Sequence, residues 1–264
     1  MIAGTAEIHP SAIVEQGATI GAGAVVGPFC VVGAGVVLGP GVHLKSHAVV
    51  TGDTELGEET VVFPFAVIGE VPQDLKFAGE RTSLRVGRRN RIREGATLNV
   101  GTAGGGGVTR MGDDCLVMTG AHVGHDAQVG SRVVLANQAA LGGHCIVEDD
   151  VIVGGLSGIH QFVRVGRGAI VGAVTMVTHD VIPYGLVQGP RGELDGLNLV
   201  GLKRRGTARE DIQALRIAYA TLKQGEGSLR ERARRLAEET GSALVREVAD
   251  FVLAESDRSF LAPR

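Results

Sequence analysis

Two histidines and a carboxylate fall within five residues, in the stretch Gly120-Ala121-His122-Val123-Gly124-His125-Asp126. No other part of the chain concentrates groups that ionise near neutral pH so tightly. An imidazole beside a carboxylate can remove a proton from a hydroxyl group, and it can also ligate a metal ion. Taken alone, the stretch is better explained by surface or structural histidines. Its interpretation therefore depends on the elements that position it.

The composition favours thin layers over a bulky core. The chain has 264 residues with 41 glycines, no tryptophan and 3% aromatic residues, so its apolar volume comes from Val, Ile, Leu and Ala. A formal net charge of −3 gives no electrostatic reason to bind nucleic acid. We find neither a secretory signal pattern nor an apolar stretch long enough to cross a bilayer, so we expect a cytoplasmic protein without a transmembrane segment.

An aliphatic residue recurs at every sixth position from Val14 to Ile68, and again from Met111 to Val177. Glycine often follows it, and the fourth residue after it is small or β-branched. The three cysteines, Cys30, Cys115 and Cys145, all occupy that fourth slot and are interpreted as small inward-facing fillers. A period of six with tight glycine corners predicts a triangular parallel β-helix that uses three hexads, or 18 residues, per coil. Successive coils then stack about 4.8 Å apart.

Two segments interrupt the hexads. Residues 70–85 contain Gln73-Asp74-Leu75-Lys76 and preserve the phase, which predicts a loop projecting from one corner. The segment from Thr102 to Gly107 shifts the phase by one residue. It lacks the Gly-Lys-Ser/Thr ending of a phosphate-binding loop, so we expect a flexible excursion.

The pattern changes after Pro183. Thr207 with Glu210 and Ser228 with Glu231 match the capping box, and two apolar stripes at helical spacing follow. We therefore predict a β-helix domain over residues 1–187 and a small α-helical domain over 188–264. A basic cluster, Lys203-Arg204-Arg205, lies before the first predicted helix.

The 18-residue coil places His125, Gly143 and Gln161 in one column. His144 and His160 are each one residue from that column, so three separated histidines converge on one corner. This arrangement suits acyl transfer to an alcohol, because a neutral imidazole can take the hydroxyl proton. The backbone amide of a glycine can hold the oxyanion, and a carboxylate at Asp126 can orient the imidazole.

Several motifs resemble one family. They are Ala121-His122-Val123-Gly124-His125-Asp126, Leu141-Gly142-Gly143-His144, Ile159-His160-Gln161-Phe162, Gln73-Asp74-Leu75-Lys76 and Gly201-Leu202-Lys203-Arg204-Arg205-Gly206. In their order along the chain they resemble the cytoplasmic UDP-N-acetylglucosamine O-acyltransferases of lipid A biosynthesis, over essentially the whole chain. The hexads themselves resemble the hexapeptide-repeat acyltransferases, and the left-handed sense of the β-helix is taken from that resemblance.

The resemblance implies transfer of an (R)-3-hydroxyacyl chain from acyl carrier protein to the sugar 3-OH of UDP-N-acetylglucosamine. The thioester of the carrier's phosphopantetheine is the donor, and no further cofactor or metal is implied. The family is a homotrimer with its sites in clefts between prisms. Arg209 and Arg216 are candidates for a basic patch that receives the acidic carrier protein.

The resemblance also assigns roles to individual residues. His125 is the general base, Asp126 its partner and Gly143 the oxyanion donor. The remaining residues bind substrate: Asp74, Lys76, His122, His144 and Gln161 line the sugar and thioester site, and His160, Asn198, Arg204 and Arg205 lie around the nucleotide, phosphates and donor arm. Gly155 and Ala173 border the acyl groove.

Three alternatives remain open. A hexapeptide metalloenzyme resembling the γ-type carbonic anhydrases, in which three histidines from a subunit interface hold zinc, would use His122, His125 and His144. The related N-acyltransferase of the same pathway carries an extra N-terminal domain, whereas the hexads here begin by Val14. A non-catalytic β-helix scaffold would have no use for converging histidines.

Two residues depart from the family. Asn99 lies where relatives often have a histidine, and Val200 where they often have an acidic residue. Both departures bear on nucleotide and sugar preference.

Ala173 generates a prediction about chain length. Some relatives have glycine at this position, and the extra methyl group should narrow the acyl groove. Ala173→Gly is therefore expected to accept longer acyl chains than the wild-type protein, measured with a ladder of hydroxyacyl carrier proteins. An unchanged chain-length profile would contradict this reading.

Overall fold

The structure is a computed structural model that describes residues 1–262. Within this range the chain forms short β-strands followed by helices. The strands are β1 (Glu7–Ile8), β2 (Ile13–Val14), β3 (Thr19–Ile20), β4 (Val25–Val26), β5 (Val31–Val32), β6 (Val37–Leu38), β7 (His43–Leu44), β8 (Val49–Val50), β9 (Asp53–Leu56), β10 (Val61–Val62), β11 (Val67–Glu70), β12 (Ser83–Val86), β13 (Arg91–Ile92), β14 (Thr97–Asn99), β15 (Val108–Met111), β16 (Leu116–Val117), β17 (His122–Val123), β18 (Gln128–Val129), β19 (Val134–Leu135), β20 (Ala140–Leu141), β21 (Ile146–Val147), β22 (Ile152–Val153), β23 (Gly158–Ile159), β24 (Arg164–Val165), β25 (Ile170–Val171), β26 (Met176–Val177), β27 (Gly185–Gln188) and β28 (Glu193–Leu197). The helices are α1 (Leu199–Arg204), α2 (Arg209–Gln224), α3 (Leu229–Glu239) and α4 (Ala243–Leu253).

The strands form the three faces of a prism. Face 1 is the sheet β1-β4-β7-β10-β13-β16-β19-β22-β25-β27-β28, face 2 is β2-β5-β8-β11-β14-β17-β20-β23-β26, and face 3 is β3-β6-β9-β12-β15-β18-β21-β24. The chain visits faces 1, 2 and 3 in turn, so we call the edges between them corner 1–2, corner 2–3 and corner 3–1. All pairings between these strands are parallel except the antiparallel pair β27–β28.

The core is a stack of inward-facing aliphatic side chains. Leu38, Leu98, Leu135 and Leu141 are almost completely buried, as are the other residues of the hexad ladder. The three cysteines are buried and unpaired, and their Sγ atoms lie within hydrogen-bonding distance of backbone carbonyls, so the filler role is confirmed. Each coil buries its inner face only against its neighbours, which makes the stack the unit of stability.

The coil period is 18 residues except at two points. Glu7 pairs with Val25 and His122 with Ala140, each 18 residues apart. Leu56 pairs with Val86, so that coil carries 12 additional residues, and Met111 pairs with Val86 across a coil with 7 additional residues. Both insertions, residues 71–82 and 101–107, emerge at corner 2–3 in consecutive coils. The predicted projecting loop is confirmed.

The corners are sharp because one residue of each turn has a positive φ. At corner 2–3 these residues are Asp126 (φ 60°), His144 (φ 60°) and Phe162 (φ 66°), stacked one coil apart. This left-handed conformation is uncommon for residues other than glycine, and the stacked coils on either side hold it in place.

The C-terminal part differs from the expected pattern in two ways. The hairpin β27–β28 was not predicted. Its strand β27 extends face 1 by pairing with β25, and the expected division at 187/188 falls before the last residue of β27. The capping box at Ser228 and Glu231 is confirmed, but the one at Thr207 is wrong. Helix α2 begins one residue later, with Ala208 as an N-cap that supplies no side-chain hydrogen bond.

A buried ion pair attaches the C-terminal part to the prism. Arg164 Nε lies 2.7 Å from Asp180 Oδ2, and the side chain of Asp180 is fully buried. Asp180 also accepts a hydrogen bond from the hydroxyl of Ser256, and the Arg164 guanidinium lies over the ring of Phe251 in α4. Removal of either charge would leave the other buried without its partner.

The fold class predicted from the sequence, a left-handed parallel β-helix followed by a small α-helical domain, is confirmed. Among the helices of residues 1–262, none has the length and apolar character that a membrane crossing requires.

Candidate active site

His125 and Asp126 form a hydrogen-bonded pair at corner 2–3. His125 Nδ1 lies 2.8 Å from Asp126 Oδ2, although adjacent residues in a strand would point to opposite sides. The pair can form because both residues lie in the turn and Asp126 has a positive φ. Asp126 is 3% exposed, whereas the His125 side chain keeps 15% of its surface accessible. The sequence alone does not establish this contact, because it depends on the conformation of the turn.

Gly143 lies one coil above His125, as the 18-residue spacing predicts. The amide of His144 donates to the carbonyl of His125, and the amide of Phe162 donates to the carbonyl of Gly143, so His125, Gly143 and Gln161 form one column. A Cβ atom on Gly143 would lie 2.6 Å from His125 Nε2, so any larger residue would displace the imidazole. Within residues 1–262 no acceptor takes the Gly143 amide hydrogen. A free amide thus lies beside the second imidazole nitrogen.

Two further histidines lie beside the pair. The rings of His125 and His144 meet edge to face at 4.9 Å, and His144 stacks on Phe162 with the ring centroids 4.4 Å apart. His122 points outward from face 2, and its Nδ1 lies 2.8 Å from Thr97 Oγ1. The expected convergence of His125 and His144 is therefore observed, and His122 lies close enough to His125 for the titration of His122 to be affected.

Burial sets the charge state of these neighbours. It lowers the pKa of His122, and the adjacent His125 lowers it further. Burial also lowers the pKa of His144, against the opposing effect of Asp126. Both imidazoles are consequently neutral at pH 7 and can accept hydrogen bonds from hydroxyl groups of a ligand.

The loop of residues 71–82 reaches the same corner. It carries Asp74, which is partly exposed and close enough to His144 to influence its titration, and the exposed Lys76. Asn99 lies under the base of this loop and donates its amide to the carbonyls of Glu70 and Val71. Asn99 is 4% exposed, so it anchors the loop, and its Oδ1 is buried without a hydrogen-bond partner. Sequence reasoning noted Asn99 only as a departure from the family.

The glycine-rich segment contradicts the expectation of a flexible excursion. Residues Ala103–Gly105 form a 3-10 turn that packs against the Asp126 carboxylate. The Thr102 amide and hydroxyl both donate to Asp126, at 2.9 and 2.7 Å. The segment is ordered because it supplies donors to a buried charge. Its phase shift was visible in the sequence, but the corner at which it emerges was not.

His160 and Gln161 lie at the same corner and are exposed in the coil above Gly143. His160 Nδ1 accepts a hydrogen bond from Arg258, which the sequence did not suggest. Gly155 lies at corner 1–2, where Val174 donates to its carbonyl, and Ala173 precedes Val174 in the turn one coil above. Gly155 and Ala173 therefore lie across face 2 from His125.

The nucleotide-binding candidates lie at corner 3–1. Asn198 caps α1 and donates its side-chain amide to the carbonyl of Gly168, a turn residue of that corner. Arg205 approaches Gly168 so closely that a Cβ atom there would lie 2.6 Å from its guanidinium. Arg204 is exposed on α1, as is Val200. Within one chain these residues are not brought to His125.

Within residues 1–262 of one chain, the three histidines of the zinc alternative do not converge on a single point. Within residues 1–262 the group whose potential ligand atoms lie within 4.8 Å of one another is His125, Asp126 and His144. His122 does not join it. Asp126 Oδ2 already accepts from His125 and Thr102, so its lone pairs are engaged in hydrogen bonds.

The lowered pKa of His144 generates a prediction about stability. A neutral imidazole in the folded chain means that stability is complete above the unfolded pKa of about 6.5 and falls as the pH drops through that value. His144→Phe keeps the stack on Phe162, and Phe29 and Phe65 already adopt the same positive φ. The loss of Tm between pH 7 and pH 5 should be smaller in this variant than in the wild-type protein. An equal loss in both would contradict the assigned direction.

Comparisons with known proteins agree with this architecture. A family profile described as "Udp N-acetylglucosamine O-acyltransferase; Domain 2" matches residues 180–261, and a hexapeptide-repeat profile matches residues 17–52 and 109–143. The chain is similar to the acyl-[acyl-carrier-protein]–UDP-N-acetylglucosamine O-acyltransferase of Paracoccus denitrificans, with 70% identity over 77% of each chain. It is 49% identical to the protein of that name from Rhizobium johnstonii, over 99% of this chain and 97% of the relative.

The fold is likewise similar to that of a solved relative. The UDP-N-acetylglucosamine acyltransferase from Campylobacter jejuni superposes with a TM-score of 0.92 at 37% identity, over 98% of this chain and 100% of the other. Sequence and fold agree over the prism and the helices alike. The chain therefore belongs to the family of acyl-[acyl-carrier-protein]–UDP-N-acetylglucosamine O-acyltransferases, and the protein is an acyltransferase.

Proposed function

We propose that the protein transfers an (R)-3-hydroxyacyl chain from acyl carrier protein to the 3-OH of UDP-N-acetylglucosamine, the first step of lipid A biosynthesis. Family membership supports the substrates, since its relatives carry both in their names. One observation carries the chemistry: the His125–Asp126 pair lies against Gly143, whose backbone amide has no acceptor within residues 1–262.

The proposed reaction follows from the two imidazole nitrogens. His125 Nδ1 donates to Asp126, which leaves Nε2 unprotonated on the edge of the ring that lies against Gly143. Nε2 takes the proton of the sugar hydroxyl as its oxygen attacks the thioester carbonyl carbon. The Gly143 amide holds the resulting oxyanion, and Asp126 stabilises the imidazolium. Collapse breaks the carbon–sulfur bond, and the imidazolium returns the proton to the departing thiolate.

The remaining residues of corner 2–3 suit substrate recognition. His122 and His144 are neutral by burial and offer ring nitrogens to sugar or thioester groups. Asp74 and Lys76 approach from the loop, with Gln161 one coil above Gly143. The outward positions between this corner and corner 1–2 include Ala140 and Gly158, which leave a shallow path across face 2 for an acyl chain towards Gly155 and Ala173.

The polarity of the three faces supports a homotrimer. Outward residues of face 3 are largely charged or polar, such as Arg85, Arg110 and Gln128. Face 1 presents Leu116, Val134, Ile152 and Ile170 in successive strands, and face 2 presents Val31, Val49 and Val67. The corner between them exposes Phe29, Phe65, Leu156 and Val174, each about 60% accessible. Contiguous apolar surface of this kind marks a subunit contact.

Threefold packing with corner 1–2 at the axis would complete the site. Face 1 of one subunit would then lie against face 2 of the next, and the outer edges of the pair would be corner 2–3 and corner 3–1. His125 of one subunit would meet Asn198, Arg204 and Arg205 of its neighbour. The two arginines suit a nucleotide diphosphate, because charge-assisted hydrogen bonds to phosphate are strong.

The carrier protein is proposed to dock on α2. Arg209 and Arg216 are exposed on this helix together with Ile217, which is 58% accessible. Basic side chains around an apolar centre complement an acidic helical partner.

The direct test of the function is His125→Ala, assayed for hydroxyacyl transfer from carrier protein to UDP-N-acetylglucosamine. Loss of a general base should lower kcat by roughly 100- to 10,000-fold. His9→Ala, which removes an exposed histidine at the far end of the prism, serves as the control and should retain full activity. Retained transfer in His125→Ala, or stoichiometric zinc in the purified wild-type protein, would overturn the proposal.

Subunit complementation tests the shared site. His125→Ala and Arg205→Ala homotrimers should each be impaired, but each mixed trimer contains one cleft with both native residues. Random mixing of equal amounts should therefore restore about a quarter of wild-type activity if every cleft combines two subunits. Mixed trimers no more active than the average of the two variants would place all the groups within one subunit.

A further inference from the structure

The Asp126 carboxylate accepts hydrogen bonds from Thr102 as well as from His125. Its Oδ1 accepts from the Thr102 amide at 2.9 Å, and its Oδ2 accepts from the Thr102 hydroxyl at 2.7 Å and from His125 Nδ1 at 2.8 Å. The Asp126 amide donates to Thr109 Oγ1 at 2.7 Å. Thr102 makes two of these contacts, one from its amide and one from its hydroxyl, and both are made to the Asp126 carboxylate.

The glycine-rich segment follows the carboxylate closely. A Cβ atom on Gly105 would lie 2.0 Å from Asp126 Cγ, and one on Gly101 would lie 2.8 Å from Oδ1. A Cβ atom on the intervening Gly104 would meet nothing within 4 Å. Glycine is therefore required where the segment faces Asp126 and is not required where it faces away.

The segment is in turn fixed to the loop of residues 71–82 and to the strand that follows it. The Ala103 amide donates to Glu80 Oε1 at 3.2 Å, and the Ser83 amide donates to the Gly107 carbonyl at 2.9 Å. Backbone amides, that of Glu80 itself first, lower the pKa of the Glu80 carboxyl, so it accepts this bond in its ionised form. The insertion that carries Asp74 and Lys76 thus supports the one that carries Thr102.

A competing imidazole makes this support necessary. His144 Nδ1 lies 3.8 Å from Asp126 Oδ2, the same oxygen that His125 contacts. A carboxylate free to rotate about χ2 could turn from one ring to the other. Donors on both oxygens fix its plane, and Thr102 supplies one to each.

We propose that Thr102 is a positioning residue, which holds the Asp126 carboxylate on His125 rather than on His144 and so keeps His125 Nε2 directed at the acceptor hydroxyl. The inference rests on the proposed base role of His125. The role of the glycine-rich segment is then to hold the carboxylate of the catalytic pair in place.

The test is Thr102→Val, which suits the extended backbone at this position (φ −121°, ψ 156°) and removes only the hydroxyl donor. We expect kcat to fall roughly 10- to 100-fold while KM for UDP-N-acetylglucosamine stays within about twofold. Thr102→Ser restores the donor and should recover kcat to within about threefold of wild type. Thr60→Val removes a buried hydroxyl remote from the site and controls for stability: it should match the Tm change of Thr102→Val without the loss of kcat.

A pair of adjacent glycine substitutions gives an independent readout. Gly105→Ala should lower kcat because the new methyl group displaces the segment from Asp126, whereas Gly104→Ala should leave kcat unchanged. This pair decides the matter if Thr102→Val does not fold. Wild-type kcat in Thr102→Val or Gly105→Ala, with His125→Ala inactive, would overturn this inference alone. An active His125→Ala would remove the proposed function beneath it.

Discussion

Backbone pairing between residues 18 apart is the constraint on which the molecule depends. Each coil pairs with the next through short parallel strands, so a side chain at any position lies about 4.8 Å below its counterpart one coil later. This stacking turns a long chain into a set of columns. His125, Gly143 and Gln161 meet for that reason, and no direct contact between their side chains is needed to bring them together.

The turns at the corners bring the functional groups of stacked residues into contact. A strand would direct His125 and Asp126 to opposite sides, but the positive φ of Asp126 turns its carboxylate back to the imidazole of the preceding residue. The same turn one coil later holds a glycine, where the imidazole occupies the space that a side chain would need. The stacked coils maintain this left-handed turn, and the buried carboxylate receives donors from both Thr102 and His125.

The distribution of polarity over the prism is the reason for the proposal that one chain holds only part of a site. The imidazoles lie at corner 2–3 and the arginines of the basic cluster at corner 3–1, on either side of the polar face 3, and the apolar surface lies on faces 1 and 2. Burial of those faces between copies is the simplest way to cover them and is the basis of the trimer proposed above. Each active cleft would then draw its base and its phosphate ligands from different subunits.

The sequence by itself determined the period, the fold class and the column of His125, Gly143 and Gln161, because a six-residue repeat leaves little freedom in how coils stack. It also located the helical part, apart from the hairpin β27–β28, whose strands carry no hexad signal. It did not determine that both insertions leave the prism at one corner, that Thr102 contacts Asp126, or that Asn99 contacts the base of the loop of residues 71–82. Those contacts join residues across irregular coils, where neither the period nor the local pattern fixes the distance. Only the tertiary structure decided them, because a side chain in a turn takes its direction from the backbone torsions that the neighbouring coils impose.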